Sequence, residues 1–146
     1  MSKVWLGLAL IVLGCAEPTG TLPRPAAPSI IGQQQNNSYS INAADRTVYV
    51  TLAHVRGEGE PVHAFMRRMF DSADSAGARR LVVDLRSVTG GDARLLVPLI
   101  KGVVTRDRFV QGGGLYVVVG PRSFSPTQNA ATLLQEYAHP IFVAAH

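Results

Sequence analysis

Cysteine occurs once in this chain of 146 residues, at Cys15. That excludes an intramolecular disulfide and any zinc site built on several thiolates. Like charges never cluster: no five consecutive residues share a sign, and basic residues do not interleave with aromatics. The formal charge is +4, and much of its positive part is spread over Arg67, Arg68, Arg79, Arg80, Arg86 and Arg94. Scattered arginines of this kind read as a solvated surface, and nucleic acid is not an expected partner. Lysine is scarce, with Lys3 and Lys101 the only two. His54 and His63 have no partners at metal-ligand spacing, and Asp71 and Asp74 read as a solvated pair one helical turn apart. The glycines at Gly112 to Gly114 precede a strand pattern and not a helix, which excludes a phosphate loop. There is no internal repeat. No metal and no cofactor are expected.

What is present is enough for a core. Apolar residues make up 47% of the chain and charged residues 16%, a globular and not a disordered composition. The length suits one domain. The first stretch, "MSKVWLGLALIVLGC", has a basic start at Lys3, and an apolar run from Val4 to Leu13 too short to span a bilayer. Gly14 then stands directly before Cys15. This resembles the lipobox of bacterial lipoprotein signals. The resemblance implies that residues 1–14 are a signal peptide and that Cys15 carries lipid. It also implies that the protein is anchored to a membrane of the cell envelope, facing the periplasm or the exterior. An ordinary secretory signal with an incidental cysteine is the alternative. Residues 15–40 hold four prolines and a Gln/Asn tract, without helical or strand periodicity. They read as an extended tether.

The folded domain is expected over residues 41–146. "RTVYVTLAHV", Arg46 to Val55, is β-branched and aromatic, hence a strand. "VHAFMRRMFDSADSAG" puts Val62, Phe65, Met66, Met69, Phe70 and Ala73 on one helical face, and Gly77 ends that helix. Arg79 to Leu85 is a second strand, followed by the turn "RSVTGGD". "ARLLVPLIKGVVT" reads as a helix kinked at Pro98. Gly114 to Gly120 is a continuous apolar run, of the kind buried on both faces. A helix follows from Pro126 to about Tyr137, and "HPIFVAA" is a last strand. Strands alternating with helices define an α/β fold with a mostly parallel sheet. Ligands of such sheets gather at the carboxyl ends of the strands, here the loops "RSVTGGD" and "PRSFSP".

Those two loops carry a family likeness. "RRLVVDLRSVTGGD" resembles the DLR-and-double-glycine stretch of the tail-specific (carboxyl-terminal processing) serine peptidases. "LYVVVGPRSFSPTQNAATLLQEYAHPIFV" resembles their nucleophile segment, a hydrophobic strand ending in a serine turn before a helix. The resemblance covers about residues 44–143. It implies a crotonase-like ββα superhelix with flanking helices, and a serine-type peptidase acting on polypeptides. By position Ser125 matches the nucleophile, and Gly90 and Gly91 match the glycines whose N–H groups form the oxyanion hole. Asp84 and Arg86 match the residues that hold the glycine loop.

Two features depart from that pattern. The family's basic lysine lies farther beyond the serine than His146, so the domain is expected to be incomplete at its C-terminal side. His139 and His146 are the substitutes within the sequence. Pro126 follows the serine, and proline has no N–H to offer an oxyanion. Moreover, "SPTQ" is a capping box in its own right, with Ser125 as N-cap, Pro126 at the first helical position and Gln128 reaching back. Three functions therefore stay open. They are a lipid-anchored peptidase, a non-catalytic peptide- or partner-binding lipoprotein of the same fold, and a truncated remnant whose last strand leaves an unprotected sheet edge.

Overall fold

A computed structural model describes residues 37–56, 59–88, 90–111, 113–123 and 125–145. The signal, Cys15, most of the tether and His146 lie outside the described residues. Five strands form one sheet in the order β1-β2-β3-β4-β5. They are β1 (Ser38–Asn42), β2 (Thr47–Thr51), β3 (Arg80–Asp84), β4 (Leu115–Val119) and β5 (Ile141–Ala144). The helices are α1 (Val62–Ser75), α2 (Val97–Val104), the short α3 (Asp107–Val110) and α4 (Pro126–Ala138). The chain is thus α/β, as its pattern of elements predicts. The sheet is mixed: β1 runs antiparallel to β2, while β2, β3, β4 and β5 pair in parallel.

The antiparallel strand β1 was not expected, and it begins inside the stretch read as tether. Its turn explains it. Asn42 Nδ2 donates to Asp45 Oδ2 at 3.1 Å, while Ala44 N donates to Asn42 Oδ1 at 3.0 Å and Thr47 N to Asp45 Oδ1 at 3.1 Å. Asn and Asp side chains here act as stand-ins for backbone acceptors and fold the chain back on itself. Tyr39 then sets its ring edge-on to Phe65, with centroids 5.9 Å apart, and its hydroxyl lies 2.9 Å from Ser72 Oγ.

Helix α1 buries the six residues its period selects, Val62, Phe65, Met66, Met69, Phe70 and Ala73. It stops at Gly77, whose φ of 59° opens the left-handed region to the chain. Gly77 N donates to Asp74 O at 3.0 Å and Ala78 N to Ala73 O at 2.9 Å, the paired bonds that close a helix on a glycine. Pro98 does not kink a continuous helix. A 3₁₀ turn at Ala93–Leu96, capped by Asp92 accepting from Arg94 N, comes first, and α2 restarts at Val97 with Pro98 in its first turn. A first-turn N–H has no helical partner in any case, so proline is tolerated there.

Parallel neighbours joined by right-handed crossovers carry their helices on one face of the sheet. That face supplies the core: Val48 and Val50 of β2, Leu81 and Val83 of β3, and Leu115 and Val117 of β4 are all buried against the helices. The opposite face carries Tyr49, Val82, Tyr116 and Ile141 side by side across four strands. No helix covers it among the described residues. Consequently β4 is not buried on both faces as its unbroken apolar run suggests; Tyr116 and Val118 stay half-exposed.

The helix layer is stitched at its far side by Asp74. Arg106 Nε and Nη2 donate to its two carboxylate oxygens at 2.9 and 2.7 Å, and Arg108 Nη2 donates as well. Hydrogen bonding from Arg106, chiefly, and from Arg108 lowers the Asp74 pKa to about 2. Asp74 is therefore a tie between α1 and the α2–α3 segment, not a merely solvated carboxylate.

Candidate functional site

The carboxyl ends of β2, β3 and β4 form one rim of the sheet, because these strands are parallel and adjacent. At the end of β3, Asp84 is buried and clamps the loop that follows. Arg86 N donates to Asp84 Oδ1 at 3.0 Å, Arg86 Nε to both carboxylate oxygens at 3.0 and 3.1 Å, and Arg86 Nη2 to Oδ2 at 2.6 Å. This contact raises the Arg86 pKa above its already high ordinary value. A two-pronged pair of this kind fixes direction as well as charge. It ties the backbone and side chain of Arg86 to the end of β3.

The glycine loop is pinned to β2's continuation. Val55 and Gly91 form an isolated parallel bridge, and Asp92 N donates to Val55 O at 3.2 Å. A Cβ on Gly91 would overlap the Val55 carbonyl, and its φ of 129° lies where side chains are strained. Glycine is required there by the closeness of the two backbones. Neither Gly90 nor Gly91 gives its N–H to a backbone acceptor among the described residues.

The loop after β4 is fastened to the loop after β3 by Ser123, a residue that carried no expectation. Its Oγ donates to Leu85 O at 3.3 Å and accepts from Gly120 N at 3.0 Å. A serine three residues beyond a strand-ending glycine is a weak sign of such a turn, and only the neighbouring strand supplies Leu85.

Ser125 stands at the start of α4, and the capping box does not form. Its backbone adopts φ 41° and ψ −91°, and its side chain makes no capping bond. With φ positive, the hydroxyl cannot swing over the free N–H groups of the first turn as a conventional N-cap does. Only the Ser125 carbonyl is used, accepting from Asn129 N at 3.1 Å. A non-glycine residue in this region stores backbone strain of order 1–3 kcal/mol, a condition that concentrates at functional sites. Ser125 is exposed. Thr127, one turn position on, is buried to 1% with a hydroxyl that has no partner among the described residues.

The histidines separate clearly. His139 ends α4 in the left-handed conformation. A helix of 13 residues spans about 20 Å, so His139 lies at the opposite end of the sheet from Ser125. His54 follows β2 and immediately precedes Val55, on the same rim as Gly91. Its Nδ1 is buried without a hydrogen-bond partner among the described residues. Sequence reasoning passed over His54 because it was tested only for metal spacing. Lys101 sits exposed in the body of α2.

Among the described residues no cluster of three or more His, Cys, Asp or Glu forms, and no helix is long and apolar enough to cross a membrane. No model of a known protein family matches the chain, and no curated protein does. The class established for this protein is therefore an α/β domain with a mixed five-stranded sheet, its helices on one face and a serine- and glycine-bearing rim at the carboxyl ends of its strands.

Proposed function

We propose that this protein is a serine-type hydrolase of the tail-specific peptidase kind, lipid-anchored at Cys15 in the bacterial cell envelope and acting on polypeptides. Ser125 carries the reading: its backbone is held at φ 41° while its hydroxyl is exposed and committed to no cap. A serine kept at a backbone cost, without a structural bond to show for it, is what a nucleophile on a strand-to-helix turn requires. In this reading Ser125 Oγ attacks the scissile carbonyl carbon. The free N–H groups of Gly90 and Gly91 receive the oxyanion, where one donor contributes about 3 kcal/mol to the transition state. The serine proton needs a base within hydrogen-bond reach, and His54, on the same rim with an unpartnered buried Nδ1, is the histidine to test for that role. The same reading carries a crotonase-like ββα arrangement for the domain.

A second reading has an observation of its own. Pro126 is buried at the first helical position and removes the N–H that would follow the nucleophile. A rim with one donor fewer suits a lipoprotein that holds a peptide without cutting it.

A fluorophosphonate probe distinguishes the two. Labelling of the full chain, lost in Ser125→Ala and reduced in His54→Ala, supports the hydrolase; a wild-type protein that resists the probe leaves the binding role. Stability supplies a separate test. Ser125→Gly should raise stability by about 1 kcal/mol, since glycine accepts positive φ without strain. A loss of stability in that variant would mean the hydroxyl is a structural cap after all.

A further inference from the structure

We propose that the amino-terminal end of the sheet holds a binding pocket for a phosphate-bearing anion, a phosphomonoester or diphosphate group. The pocket has a volume of about 700 Å³ and lies at the starts of β2, β3 and β4. Arg46, Arg79, Arg80 and Arg108 line it, and among the described residues no Asp or Glu does. These strands are parallel, so the pocket is at the opposite end of the sheet from the serine rim and does not rest on the peptidase reading. Far apart in sequence, the arginines are gathered by the strand starts. Arg79 N and Arg80 N both donate to Arg46 O, at 2.8 and 3.2 Å, and Leu81 N donates to Gly114 O at 2.8 Å. A Cβ on Gly114 would overlap the Arg108 carbonyl and stand 3.0 Å from Arg79 O. Glycine there lets the segment that bears Arg108 close on the start of β3.

Charge selects the ligand. Elsewhere in the molecule Arg68, Arg86, Arg94 and Arg106 each pair with a carboxylate. Arg46, Arg79 and Arg80 make no ion pair among the described residues. Asp45, the acid beside Arg46, is turned to Asn42 Nδ2 and Thr47 N. Like charges on adjacent strands repel, and an anion between them offsets that cost. Arg108 joins them already oriented: it donates to Asp74, and its guanidinium carbon lies 4.6 Å from the Phe109 ring centroid. A guanidinium is a planar fork that grips phosphate oxygens in pairs. A carboxylate brings one negative charge and a phosphomonoester nearly two, which suits several convergent guanidiniums better. Arg46 adds an observation of its own. Its φ of 55° is one that glycine or asparagine adopts with less strain, and the turn itself gains nothing from a guanidinium.

Isothermal titration calorimetry of the full chain with inorganic diphosphate tests this. The expected result is saturable binding, weakened at least about fivefold in Arg79→Gln and in Arg80→Gln. Arg122→Gln removes the same charge from the exposed loop after β4 and should leave the affinity unchanged. Arg46→Gly separates binding from folding. It should raise the melting temperature of the free chain, because glycine accepts positive φ, and still weaken diphosphate binding. Flotation with phosphatidylcholine vesicles, with and without phosphatidic acid, identifies the source of the phosphate. Added binding to phosphatidic acid that diphosphate competes away assigns a lipid headgroup. Diphosphate binding without that gain assigns a soluble phosphate compound, and either result supports the pocket. A wild-type chain that does not bind diphosphate would overturn the proposal. So would an affinity that falls as far in Arg122→Gln as in Arg80→Gln.

Discussion

Strand β1 closes one edge of the sheet with Ser38, Ser40 and Asn42 on its outer face, while Tyr39 and Ile41 reach into the helix layer. Strand β5 is the last strand on the other side among the described residues, and there Ile141, Phe142 and Val143 are exposed. Among the described residues both strands leave a row of N–H and C=O groups without a neighbouring strand. The β1 edge is built from within the chain: a side-chain-bonded turn, a ring against Phe65, and Asn37 accepting from Ala53 N at 3.0 Å. Among the described residues β5 is held by its ladder to β4. The contrast teaches that an edge strand can be short and polar when a hairpin returns it to its neighbour, since that closure is local. A parallel edge strand arrives by a long crossover, and its stability depends on what covers it.

The largest effect that would break this contrast is expected at Tyr39. Tyr39→Ala removes the ring from Phe65 and the hydroxyl from Ser72. It should cost about 2–3 kcal/mol in urea unfolding, toward the lower end for a large-to-small change because Tyr39 is only partly buried. Next comes the turn. Asp45→Ala leaves Thr47 N and Asn42 Nδ2 without their acceptor and should cost about 1 kcal/mol.

Acid acts on the helix layer, where Asp74 ties α1 to Arg106 and Arg108. The folded-state pKa of Asp74 is lowered to about 2 by Arg106 and Arg108, below the ordinary carboxylate value of about 4. A depressed carboxylate contributes stability that is complete above its unfolded pKa and is lost as pH falls through its folded one. The melting temperature should therefore decline between about pH 4 and pH 2, less so in Asp74→Asn. The size is modest because the pair is partly exposed and screened. Phe142→Ala, at an exposed position, should show the smallest change, within about 0.5 kcal/mol. A loss as large as that of Tyr39→Ala would mean that β5 is as deeply built into the single chain as β1.

Much of the fold was legible. The six buried positions of α1 follow a 3.6-residue period, and Gly77 supplies the one conformation that ends the helix. The loops that bear Gly91 and Ser125 were located by the rule that parallel strands gather their chemistry at their carboxyl ends. Strand β1 was missed because "SYSIN" alternates over only five residues, with small polar side chains on one face. Its strand character comes from pairing with β2. The capping box at Ser125 was a sound local pattern that the backbone refused, since the link from β4 delivers the serine at positive φ. His54 was passed over because nothing near it in the chain is a partner; the rim on which it stands is assembled from three strands.

Local order and the helix-facing core were set by the sequence alone, because periodicity, glycine and proline act within a few residues. Two things were decided only in tertiary structure: which face of β4 stays open and which residues share the rim with Ser125. The physical reason is that hydrophobic patterning states how much surface must be buried, not against what. The hand of the crossovers assigned the helices to one face, and that assignment left the opposite face open among the described residues.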